Sequence, residues 1–332
     1  MKNILRLILF IVLFKVMPIA AQEWHQDVLG EEFKVKYFTH QQGGEPIISS
    51  LITLSDSIKC DAAVLYVHGF NDYFFQKELA YKFRENGYSF YAVDLRKYGR
   101  SLQPNQKKCQ VRDFKEYIPD IDSALNVIKS AGYDKIALMG HSTGGLVSAF
   151  YLMNVPSAPV DALILNSPFL DWNLGKLEYF VNLASFIGAV FPNIGMASGS
   201  GTAYGESLHR DFHGEWTFDV NWKSIDPIKV DLGWVRAINS AQHYLRKKKH
   251  SISIPILLMY SSRTIDAVDW SPEVHKADVV LDVEDIKKYG SMLGYEVSKR
   301  QVKGGMHDLI LSAPDVRYKL YESIFNWLDW KF

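Results

Sequence analysis

A serine flanked by glycines stands in Gly140-His141-Ser142-Thr143-Gly144, directly after the apolar run 136–139. A hydroxyl is a weak nucleophile at its own pKa and becomes a good one when a neighbouring base takes its proton. The G-x-S-x-G spacing suits a strand-to-helix turn that lifts a serine above a sheet, so tight that only glycine fits on either flank. Two other stretches could complete the chemistry. His307 lies in Gly304-Gly305-Met306-His307-Asp308, just after the last predicted strand. Imidazole titrates near neutrality, so it can accept the serine proton and return it to a leaving group. His68-Gly69-Phe70 follows an earlier strand. Acyl transfer builds negative charge on a carbonyl oxygen, and an N–H aimed at that oxygen lowers the barrier by about 2.7–4 kcal/mol. The amides of Phe70 and Thr143 are the candidate donors. His68 reads as a buried brace of that loop, not as the base.

These residues need a scaffold that gathers strand exits, and the hydrophobic pattern supplies one. Apolar runs at 62–67, 90–93, 136–139, 162–165 and 254–259 alternate with helical patterns at 76–86, 117–130 and 144–154. Continuous apolar strands separated by helices predict a mostly parallel sheet covered on both faces. Segments 33–39 and 47–54 add an antiparallel pair at one edge. A helix at 283–293, a strand at 297–302 and a helix at 315–330 close the pattern. Between 171 and 250 the alternation stops, and the chain becomes aromatic-rich and glycine-punctuated. The expected organisation is an α/β core of residues 22–170 and 251–332, with 171–250 inserted as a cap.

The chain has 332 residues, 48% of them hydrophobic, and can bury a large core. Its formal net charge is zero, which gives no support for nucleic acid as a partner. Residues 1–21 carry Lys2 and Arg6, an apolar run at 7–14 and small residues ending at Ala21. That is the layout of a secretory signal, and Lys15 leaves the apolar run short for a membrane span, the alternative being an uncleaved anchor. The expectation is an exported, periplasmic or secreted protein. Cys60 enters one strand and Cys109 follows the exit of the next. Strand ends lie roughly 17–20 Å apart, against the ~7 Å that a disulfide allows between Cα atoms. Two unbridged cysteines are expected. The histidines of the insertion lack accompanying Cys or carboxylate ligands, so no metal site is read, and the chemistry calls for no cofactor.

The stretches LYVHGFNDYFFQKELAYKF, AVDLRKYGRS, LMGHSTGG, KADVVLDVEDI and GGMHDLIL resemble, in this order, the α/β-hydrolase superfamily and within it the monoacylglycerol lipase and lysophospholipase-like serine hydrolases. Lys97 stands where that group often has glycine. The residues alone leave Asp266, Asp269, Asp278 and Asp282 as candidates for the carboxylate that orients His307. Asp266 lies near the usual place after the seventh core strand. The resemblance favours Asp278, whose loop and 29-residue separation from His307 look like the group's acid loop. Asp282 suits the start of the following helix. The resemblance makes 171–250 the cap over the site, and an aromatic-rich cap suits an acyl chain and transient contact with a membrane surface. It implies an ester hydrolase acting on lipid-like or small acyl esters through an acyl-enzyme. The same scaffold also serves aminopeptidases and amidases, for which Glu178, Glu206 and Glu215 could hold a free amine, and it can persist as a non-catalytic binding module.

Overall fold

The computed structural model describes residues 23–55, 60–175, 178–196 and 201–332. The predicted signal segment therefore lies outside the described residues. In chain order the strands are β1 (His25–Asp27), β2 (Gly30–Gln42), β3 (Glu45–Leu54), β4 (Ala62–Val67), β5 (Tyr88–Asp94), β6 (Lys135–His141), β7 (Ala162–Asn166), β8 (Gly195–Met196), β9 (Val230–Asp231), β10 (Ile256–Ser261) and β11 (Val297–Val302). The helices are α1 (Lys77–Glu85), α2 (Ile118–Ser130), α3 (Thr143–Asn154), α4 (Glu178–Gly188), α5 (Ala203–Leu208), α6 (Leu232–Lys247), α7 (Val283–Gly290) and α8 (Pro314–Lys331).

Nine strands form one sheet in the order β1-β2-β3-β5-β4-β6-β7-β10-β11. From β5 to β11 every pairing is parallel, while β1, β2 and β3 add the antiparallel edge. The α/β architecture read from the alternation is thus borne out. Period-2 side-chain alternation divides the core into two layers. Leu65, Leu138 and Leu163 face α2 and α3, where Ile121, Leu125 and Val147 meet them. Val64, Tyr66 and Met139 face α1 and α8, against Leu79, Phe83, Ile324 and Leu328. Helix α3 carries apolar or small side chains around its whole circumference and is buried from Thr143 to Met153, as a helix wedged between sheet and insertion must be.

The topology creates the site. β4 sits between β5 and β6, so the chain winds one way from β4 and the other way after it. At such a switch point the strand exits splay apart and leave a crevice at the carboxyl edge of the sheet. Val67 pairs with Gly140 and His141 with Asn166, which sets the loop after β4 beside the turn after β6. Between β7 and β10 the chain leaves the sheet for α4 to α6, and α6 packs on both α3 and α4. Cys60 and Cys109 form no disulfide. Lys97 takes φ 67, a left-handed backbone that explains why glycine is at home there.

Candidate active site

Ser142 closes β6 and opens α3 with φ 51 and ψ −118, a strained conformation for a residue with a side chain. The surroundings hold it there. Its N–H donates to Asn166 O at 3.0 Å, and its carbonyl accepts from Gly145, Leu146 and Phe169. The flanking glycines are a matter of space: a Cβ on Gly140 would lie 2.5 Å from Gly144 O, and one on Gly144 would lie 2.3 Å from the carbonyl oxygens of Val67 and His68. Both distances are far inside contact. The G-x-S-x-G pattern is therefore the signature of three chain segments pressed together.

His307 reaches the serine from the far end of the sheet. Gly304, at φ 75, turns the chain after β11, and Ser261 donates to Gly305 O at 2.7 Å to hold that turn on β10. His307 Nε2 lies 3.0 Å from Ser142 Oγ, and its Nδ1 lies 2.9 Å from Asp278 Oδ2. The structure thus brings Ser142, His307 and Asp278 into one chain of hydrogen bonds. Asp278 arrives by a detour. The segment after β10 loops out and returns so that Asp278 pairs with Thr264 as a single bridge, its N–H on Arg263 O and its carbonyl taking Ile265 N–H. Its other carboxylate oxygen accepts from Val280 and Leu281 N–H, each at 2.8 Å. The carboxylate is completely buried. Asp266 is exposed and is not joined to His307. Asp282 instead caps α7 by accepting from Glu284 N–H.

On the opposite side, the 68–70 loop lies against the serine turn: a Cβ on Gly69 would stand 3.2 Å from Ser142 Cβ. His68 is buried, receives Leu95 N–H on Nε2 and gives its Nδ1–H to Gly69 O. It is occupied at both nitrogens and serves as the brace that holds this loop. Among the described residues, the N–H groups of Phe70 and Thr143 have no protein acceptor.

A polar cluster underlies His307. His141 packs its ring 4.9 Å from that of His307 and gives Nδ1–H to Asn166 O. Burial, reinforced by the nearby His307, pushes its pKa down to about 3, so it stays neutral. Asp308 accepts from Asn166 Nδ2 at 2.6 Å, and burial raises its pKa. Lys223 of the insertion places its ammonium 2.9 Å from Asp72. Tyr204 of α5 sets its ring edge-on to His307, with centroids 5.5 Å apart. Nothing in the sequence marks Tyr204, Asp72 or Lys223, because only tertiary folding gathers them around the His141–Asp308–His307 cluster. Ser142 is 8% exposed and His307 only 2%, so both side chains are almost withdrawn from solvent. A wall of rings over the serine turn, Phe70 on Trp234 and Trp234 on Trp172, continues to Phe169.

The family described as serine aminopeptidase, S33, matches residues 58–268. The chain belongs to this family. The S33 member is an α/β hydrolase, similar to a probable lysophospholipase L2 of Haemophilus influenzae, with 21% identity over 76% of this chain and 78% of that one. It also matches the phospholipase YtpA of Bacillus subtilis at 28% identity, over 42% of this chain and 52% of the other. Among solved structures it resembles a monoglyceride lipase of Saccharomyces cerevisiae, with TM-score 0.64, 14% identity and coverage of 89% and 96%. A monoacylglycerol lipase of Paleococcus ferrophilus gives 0.59, 19%, 80% and 93%. At these identities the structural likeness speaks for the fold, and the expected superfamily is the one found.

Proposed function

We propose that this hydrolase cleaves carboxylic esters with a lipid-like or small acyl group, through a covalent acyl-enzyme on Ser142. The continuous hydrogen-bond path from Ser142 Oγ through His307 to Asp278 carries the reading. His307 Nε2 takes the serine proton as Oγ attacks the ester carbonyl, and the Phe70 and Thr143 amides receive the oxyanion. The proton then passes to the departing alkoxide. Water attacks the acyl-enzyme and loses a proton to Nε2; the Oγ–acyl bond then breaks, Nε2 returns the proton to Ser142 Oγ, and the acid leaves. Asp278 accepts Nδ1–H throughout, fixing the tautomer and stabilising the imidazolium. The S33 description leaves amide cleavage as the competing outcome. One carboxylate that could have anchored an amine, Glu215, is engaged elsewhere with Arg317.

The lipid character rests on the cap and on the lipase-like relatives. Tyr179, Phe180, Leu183, Phe186, Val190 and Phe191 are all at least half exposed, and no charged residue occurs from 179 to 194. An uncharged apolar ridge of this size suits the surface of a lipid aggregate. Export remains part of the proposal and rests on residues 1–21; among the described residues no helix is long and apolar enough to cross a membrane. A panel of p-nitrophenyl esters and aminoacyl-nitroanilides tests the reaction class. Turnover of esters that disappears in Ser142→Ala is expected; turnover of nitroanilides alone would overturn the ester reading.

A further inference from the structure

The loop bearing Phe70 continues as Asn71-Asp72-Tyr73, and each of these three side chains is held by the segment 219–224 of the cap. Asn71 gives Nδ2–H to Ser224 O at 2.8 Å and takes Ser224 N–H at 3.0 Å. Asp72 receives the Lys223 ammonium at 2.9 Å, with both residues buried. Tyr73 accepts Asp219 N–H on its hydroxyl at 2.8 Å, and its ring meets Trp222 edge-on at 5.0 Å. Asn71 is itself in a left-handed conformation, φ 51, one residue beyond the amide proposed to bind the oxyanion. A loop in that conformation persists only where neighbours over-determine it.

We infer that the cap segment 219–224 is a template for the oxyanion site: Asn71, Asp72 and Lys223 are positioning residues that hold the Phe70 amide in its productive orientation. This rests on the ester-hydrolase reading above. The reciprocal Asn71–Ser224 pair copies the way two strands exchange bonds, and so fixes both the height and the rotation of the loop. The Lys223–Asp72 pair adds a charge-assisted bond in a setting where either partner alone would be a buried, uncompensated ion. A cap built only to cover substrate would have no need to grip the loop beside the reacting atoms at three successive residues. Coupling of this kind makes the catalytic geometry depend on the cap's being seated.

The test compares kcat, KM and inhibition by a trifluoromethyl ketone, which Ser142 converts to a tetrahedral oxyanion. Asn71→Gly removes the side chain while sparing the left-handed backbone any penalty. It is expected to lower kcat on a soluble butyrate ester about 10- to 100-fold with KM within twofold, and to weaken ketone binding by a similar factor. Asn71→Asp, which keeps the acceptor and loses the donor, should recover part of both. Lys223→Met should act in the same direction, and Asn71→Gly keeps the question open if that chain fails to fold. A loss in KM alone, or a kcat loss with ketone binding intact, would overturn the template. If Ser142→Ala stayed active, the acyl-enzyme on Ser142 itself would fall; if only Asn71→Gly behaved as wild type, the template alone would.

Discussion

At the residue scale, the carboxylate choice is the sharpest issue. Asp278 is fully buried, gives one oxygen to His307 Nδ1 and has the other satisfied by two amides. Such a group orients the imidazole through the bond to Nδ1. Asp278→Asn should lower kcat by about 10⁴ by presenting the wrong tautomer partner, whereas Asp266→Asn should leave kcat within about twofold. Comparable losses in both would contradict the assignment. The serine and histidine stood out in the sequence because their turns are built of glycine, and glycine records crowding. The acid did not stand out in the same way. Residues alone left four aspartates open, and the loop that returns Asp278 to Thr264 has no local signal. Lys223 was wholly illegible: nothing near it in the chain distinguishes it from a solvent-facing lysine.

At the element scale, the catalytic geometry is the meeting of the β4 exit, the β6–α3 turn and the β11 exit. The first two are in near-contact across Gly144, whose added Cβ would stand 2.3 Å from two backbone oxygens. Gly144→Ala should therefore cost about 2–3 kcal/mol of stability through overpacking, and the 68–70 loop must move to relieve it. Lower urea midpoints together with reduced kcat would be the signature; an unchanged midpoint would mean the turn has slack. The parallel sheet was legible because buried strands read as apolar runs of four to six residues. Strand and helix ends moved by a few residues. The last predicted helix turn beyond Gly290 is absent, for example, because Ser291 caps α7 there. The insertion was legible only as the place where the alternation fails.

At the scale of the whole molecule, the cap divides its aromatics between two tasks. Phe218 and Trp234 are buried and Trp216 and Trp222 partly so, as a cap core requires, but Tyr179, Phe180, Phe186 and Phe191 face outward. Sequence patterning sees the aromatic content and cannot see which side of α4 lacks a neighbour. Replacing Tyr179 and Phe186 together with serine should lower kcat/KM on micellar or vesicle-borne ester by about 30-fold, since each of the two rings withdrawn from lipid forfeits on the order of 1 kcal/mol. Turnover of a water-soluble ester should be unchanged. Equal losses on both substrates would show that the ridge supports the fold and does not meet a lipid surface.

Acylation of Ser142 Oγ is the step on which the proposed reaction depends, and covalent labelling tests it most directly. Wild-type protein treated with a fluorophosphonate should gain one adduct by intact mass, mapped by peptide sequencing to Ser142, with labelling slowed by orders of magnitude in His307→Ala. An adduct on another residue, or equal labelling of Ser142→Ala, would contradict it.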